Sequence, residues 1–207
     1  TTASYTIAIP EEDSYVYGSP KVTVNGNKIS THIAFYNFGS AGQMELNNQV
    51  GELNVDDVLA PQIFFCDNST AVAVRTDGFT VFSGSQSPKE KKTVKFDQEI
   101  ISTFHDGNRI GFVFDGGDSG HKYLMKVYNT GGKNTMQKYF DLQYNSITLQ
   151  KDKIVLFNEK EFAIYKLNGQ KTFQGKYRKP IQNVLSIRGF RKYMVITEDS
   201  ADLIRLG

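Results

Sequence analysis

The chain has 207 residues, 39 % of them apolar and 22 % charged, with 15 Phe, 11 Tyr and no Trp. That is enough for a substantial core and too apolar for a disordered chain. A single cysteine excludes an internal disulfide, no run of ~18 apolar residues marks a membrane-spanning helix, and a net charge of +2 with no reader motif argues against nucleic acid.

In chain order, Thr1 opens the sequence without an initiator methionine or signal-peptide pattern, which reads as a processing boundary. Tyr5 to Ile9 alternates like a strand and stops at Pro10. Tyr15 to Tyr17 and Lys21 to Val24 read as short strands split by Gly18-Ser19-Pro20. Asn25-Gly26 predicts a type I′ hairpin turn into a return strand over Ile29 to Phe38. Gly39 to Gly51 has no period and reads as a loop with room for one helical turn. Cys66, in QIFFCD, reads as a small buried residue.

From Pro61 onward the pattern is regular. Short apolar strands alternate with turn residues, and no segment shows a helical apolar period over ten residues. Phrases such as FTVFSG (79–84), KYLMKVYNTGG (122–132) and FAIYKLNG (162–169) repeat the same strand-then-glycine design. Turns at Asp77, Asp118, Glu159 and Asp199 are 41, 41 and 40 residues apart. Four short strands per unit of ~40 residues is the signature of a β-propeller blade. The predicted fold is an all-β propeller, WD40-like or quinoprotein-like, with four-stranded antiparallel blades. It has about 4–5 blades or is part of a larger propeller. The blades divide as an irregular first one over 1–60 and regular ones over 61–98, 99–142, 143–179 and 180–207. A sandwich of short strands is the alternative. The final unit supplies three strands before Gly207, so Tyr5 to Ile9 is expected either to complete it or to dock on a neighbouring chain.

Gly117-Asp118-Ser119-Gly120 resembles the nucleophile motif of chymotrypsin-like proteases, and His32 and His105 precede it, but it falls where the repeat requires a turn and His32 lacks the flanking residues of that family's catalytic base. Asp115, Asp118 and Ser119 lack the closing Glu of a calcium loop. The three histidines have no metal-ligand spacing, and Gly131-Gly132-Lys133 lacks the strand–loop–helix context of a phosphate loop. Asp67, His105 and Arg188 fall near strand ends without forming a recognisable set. No catalytic residue, metal or cofactor is expected.

Charge is unevenly spread. Residues 1–74 hold eight acids against two lysines, whereas residues 162–197 hold eight bases and no acid. Lys171, Lys176, Arg178, Lys179, Arg188, Arg191 and Lys192 make the candidate surface for an anionic partner, such as a cell-envelope polymer, a phospholipid surface or an acidic protein. The competing reading is that lysines on outer strands block edge-to-edge pairing. Lys91, Lys92, Lys95, Lys138 and Lys176 fall where that reading expects them.

The runs STHIAFYNFG (30–39), Gly42-Gln43, Val50-Gly51, VLAP (58–61) and NSTAVAV (68–74) resemble a Firmicutes family of unknown function over residues 20–207. The resemblance implies a cytoplasmic tail, one membrane anchor and an extracytoplasmic β-propeller, this chain being the C-terminal half. It transfers no activity. The function expected is a non-catalytic binding or scaffold domain with a protein or envelope-polymer partner, touching a membrane only through an anchor outside this chain. The rivals are a propeller hydrolase or lyase, and a purely structural element of a larger complex.

Overall fold

The computed structural model describes residues 2–4, 16–39, 42–43, 45–187 and 191–206. The described residues form five antiparallel sheets that fall into two compact units. The first comprises 1–100 with 107–109 and 129–133; the second comprises 101–106, 110–128 and 134–207.

In the first unit, one sheet has the order β1 (Thr2–Ser4), β2 (Val16–Asn25), β3 (Lys28–Asn37), β4 (Gln49–Asp56). Its neighbour has the order β5 (Gln62–Asp67), β6 (Thr70–Arg75), β7 (Gly78–Ser83), β8 (Lys89–Lys95). The two expected strands around Gly18-Ser19-Pro20 are one. Pro20 lies opposite Ile33 inside β2. Among the described residues β1 pairs with Lys21–Thr23 and not with Pro20; a strand tolerates proline where the ladder does not need its N–H. The β2–β3 turn is also one residue later than expected. Asn25 pairs with Lys28, and of the loop residues Gly26 and Asn27 only Gly26 has a positive φ, of 62°. That is a glycine-first hairpin rather than type I′. Residues 46–48 form a short 3-10 segment where one helical turn is expected, but Asn47 (φ 56°) and Asn48 (φ 61°) are left-handed, so it is not a regular helical turn.

The core of this unit is apolar on sequence grounds. β6 (TAVAVR) and β7 (GFTVFS) are central strands with near-continuous burial, whereas the lysine-rich edge strand β8 is largely exposed. Phe35, Ile33, Ala73 and Phe82 join the two sheets, with Phe35 and Phe82 ring centroids 4.8 Å apart.

The second unit contains three sheets. The first has the order β12 (Asn134–Phe140), β11 (Tyr123–Asn129), β10 (Arg109–Asp115), β9 (Ser102–Asp106). The second runs β13 (Ser146–Gln150), β14 (Lys153–Phe157), β15 (Glu161–Lys166), β16 (Lys171–Lys176). The third is β17 (Asn183–Ser186), β18 (Lys192–Ile196), β19 (Ala201–Arg205). Successive sheets pack face to face. Phe104, Met125, Phe140, Leu156 and Tyr165 fill one interface, and Val155, Phe162, Ile164, Tyr193 and Val195 fill the next. Among the described residues, β19 has no strand on its outer side, and Tyr5 to Ile9, the segment expected there, lies outside the described residues.

Candidate functional site

The basic tract is built on the last two sheets, and strand direction decides where each charge goes. In β16, Lys171 lies opposite Tyr165 and Lys176 opposite Glu161. A strand advances about 3.3 Å per residue, so these two lysines stand about 17 Å apart, at opposite ends of one edge strand. In the last sheet, Lys192 lies opposite Arg205 at the end where β17 turns into β18, and Ile196 lies opposite Asn183 and Ala201 at the other end.

Hydrogen bonds align the ends of the two sheets. Gln150, at the end of β13, donates from Nε2 to the Val184 carbonyl (2.8 Å) and accepts at Oε1 from the Ser186 amide (2.6 Å). At the other end the Tyr177 amide donates to the Lys160 carbonyl and the Ile181 amide to the Glu159 carbonyl. The Tyr177 hydroxyl donates to Asp202 at 2.5 Å. Two ends follow: a hairpin end, carrying the β13–β14, β15–β16 and β17–β18 turns, and a connector end, carrying the β14–β15, β16–β17 and β18–β19 connections.

The tract is divided between them. Lys171, Arg191 and Lys192 lie at the hairpin end; Lys176, Arg178 and Lys179 lie at the connector end; Arg188 lies outside the described residues. The connector end also carries acids, and there Lys179 is paired with Asp199 at 3.1 Å. That pairing helps hold the Asp199 carboxyl below its usual range. The lysines expected on outer strands are there: Lys91, Lys92 and Lys95 in β8, Lys138 in β12 and Lys176 in β16.

The remaining candidates are separate from this surface. Ser119 closes an exposed 3-10 turn, Gly117–Ser119, and its Oγ accepts the His121 amide at 3.2 Å. His105 sits on β9, at the other end of its sheet from Ser119. Partial desolvation lowers the His105 pKa, although the residue lies on the exposed side of its strand. Asp67 accepts from both the amide and the hydroxyl of Ser69, an Asx turn. Among the described residues no three His, Cys, Asp or Glu side chains converge as a metal site.

Two histidine–carboxylate pairs escaped sequence reasoning, because each joins residues 20 apart across a sheet. His32 Nε2 meets Glu52 at 2.9 Å, and His121 Nδ1 meets Asp141 at 2.9 Å. The Asp141 carboxyl, which also accepts the Lys122 amide, is held below its usual range by these bonds. Both pairs are solvent-exposed. Glu52 also accepts from Gln49 Nε2 at 2.9 Å, and the Ser119 hydroxyl meets His121 at its amide; exposed pairs of this kind contribute little to stability.

The fold is shared with solved β-propellers. BamB from Moraxella catarrhalis matches with a TM-score of 0.51 at 10 % identity, over 97 % of this chain and 72 % of that one. Hsv2 from Kluyvelomyces marxianus matches with a TM-score of 0.56 at 13 % identity, over 94 % and 57 %. Sqt1 from Saccharomyces cerevisiae matches with a TM-score of 0.52 at 8 % identity, over 98 % and 72 %. With a HIRA fragment matched over 54 % of its length, the chain spans between 54 % and 72 % of these structures. At such identities the likeness is one of fold alone. No curated protein sequence matches the chain. Over residues 10–206, however, the sequence matches a family throughout: the chain belongs to the family of unknown function DUF5711.

Proposed function

We propose that this is a non-catalytic binding or scaffold β-propeller domain, extracytoplasmic and membrane-anchored in its parent protein, that engages a protein or a cell-envelope polymer. The observation that carries the reading is the acid-free tract of residues 162–197, whose described bases are displayed on strand ends and connecting turns over an apolar core. Lys171, Lys176, Arg178, Lys179, Arg188, Arg191 and Lys192 are the proposed contact residues. The family resemblance of residues 20–207 supports the extracytoplasmic placement and a Firmicutes envelope as the setting. The lone, half-buried Cys66 suits that setting as well as any other.

The test is co-sedimentation of the purified domain with Gram-positive envelope fragments, before and after protease treatment of the fragments. Binding is expected at low salt and should weaken as salt screens the contact. A domain that stays in the supernatant at every salt concentration ends the reading. For placement, protease added to intact cells should cleave the parent protein's propeller; full protection until lysis would put it inside.

A further inference from the structure

The hairpin end of the last two sheets is far more basic than the sequence tract alone indicates. Lys171, Arg191 and Lys192 are joined there by Lys151, Lys166 and Arg205, all six exposed. Lys151 lies in the β13–β14 turn, Lys166 ends β15, and Arg205 ends β19 opposite Lys192. The acids at this end are Asp106, whose carboxylate accepts the Lys151 amide, and Asp152, which pairs with Lys153 at 2.7 Å.

Two features set this row apart from ordinary surface lysines. Lys166 and Lys171 are held by neutral partners: each ammonium donates at 2.8 Å to a glutamine, Gln170 and Gln174. The side chains are thereby oriented with their charge uncompensated, whereas Lys179 at the connector end is neutralised by Asp199. Second, the backbone is strained to place cations here. Lys151 has φ 57° and Arg191 φ 53°. Among the described residues the other non-glycine positions with positive φ are Asn47, Asn48 and Asp57, types that tolerate this conformation. Glycine or asparagine would suit both turns better, yet each carries a base, which is the pattern of strain kept for function.

The cations run across adjacent strand ends, which lie about 4.8 Å apart within a sheet. That geometry matches a repeating series of anions rather than one small ion. We propose that the hairpin end of the last two sheets binds a linear phosphate-bearing polymer through Lys151, Lys166, Lys171, Arg191, Lys192 and Arg205. This rests on the binding reading above and narrows it to one end of one unit.

The test measures binding of long-chain inorganic polyphosphate to the whole chain by titration at several salt concentrations. Lys166→Glu/Lys171→Glu/Lys192→Glu should weaken binding at least about tenfold, and Lys160→Glu/Lys176→Glu/Arg178→Glu, of equal charge change at the connector end, less than about twofold. Lys151→Gly/Arg191→Gly should weaken binding while leaving Tm unchanged or higher, because glycine relieves both turns; that variant keeps the test valid should a triple substitution unfold the domain. Equal losses from the two triple variants, or tighter binding to phosphatidylglycerol vesicles or duplex DNA than to polyphosphate, overturn the proposal. If envelope fragments are bound but polyphosphate is not, the polymer assignment fails and the binding reading survives; if neither is bound, both fail.

Discussion

Arg75 is only 5 % exposed, and its charge is met by a bidentate pair: Nε and Nη2 donate to the two oxygens of Asp77 at 2.7 and 2.8 Å. Nη1 reaches Thr80, whose hydroxyl bonds Thr93, which bonds Glu90. Removing one partner of such a pair leaves a buried charge unpaired. Asp77→Ala should therefore cost about 3 kcal/mol in urea denaturation, and a loss below about 0.5 kcal/mol, the range of an ordinary surface change, would show the pair to be idle. Ser119→Ala is the contrast: Ser119 is exposed on its turn, so stability should stay within about 0.5 kcal/mol, and labelling by a serine-directed probe that this substitution abolishes would restore the nucleophile reading. Burial, with the Asp67 charge beside it, pushes the Cys66 thiol up to about 12, so alkylation at neutral pH should require denaturation. The sequence showed Asp77 as a turn residue and Ser119 likewise. It could not show Arg75 folding back over its own hairpin, which depends on a rotamer, nor the pairing of His121 with Asp141, which depends on register.

Strands were the legible element and their ends the illegible one. Alternation and turn residues locate β5 to β7 and β13 to β15 within a residue or two, helped by the near-continuous apolar runs of the central strands β6, β7, β14 and β15. β2 is continuous where Gly18-Ser19-Pro20 suggests a break, because only the pairing partner of a proline decides whether an N–H is needed there. Gly111 in β10 marks a close approach that the sequence hides. A Cβ there would stand 2.1 Å from the Phe104 ring, which is itself buried against the neighbouring sheet. Gly111→Ala should cost about 2 kcal/mol through overpacking, and double substitution with Phe104→Leu should recover part of it. Independent, additive effects of the two changes would show that the ring is not the obstacle.

At the scale of the whole molecule, the period of the repeat was written in the spacing of its turns, while the division of the basic tract was not. Residues contiguous in sequence part company because the chain reverses at every hairpin, and only register assigns each charge to an end. Register also places the titrating tyrosines. Tyr165 is pushed up to about 12 by burial, with the Asp141 charge adding to it. Burial likewise raises Tyr144 and Tyr193, and donation to the Asp202 carboxylate raises Tyr177. All four belong to the second unit. Each holds its proton more tightly folded than unfolded, so its contribution is complete below the ordinary tyrosine pKa of about 10 and is lost as pH climbs toward the folded value. Urea denaturation across that alkaline range should show falling stability, with tyrosinate absorbance rising late for part of the 11 tyrosines. Limited proteolysis in the same range should cut within 134–206 before 16–95. Tyr165→Phe should blunt the alkaline loss while leaving behaviour at neutral pH governed by packing. A single titration of all tyrosines near pH 10 with the fold intact would show that burial in these sheets does not hold the phenols neutral.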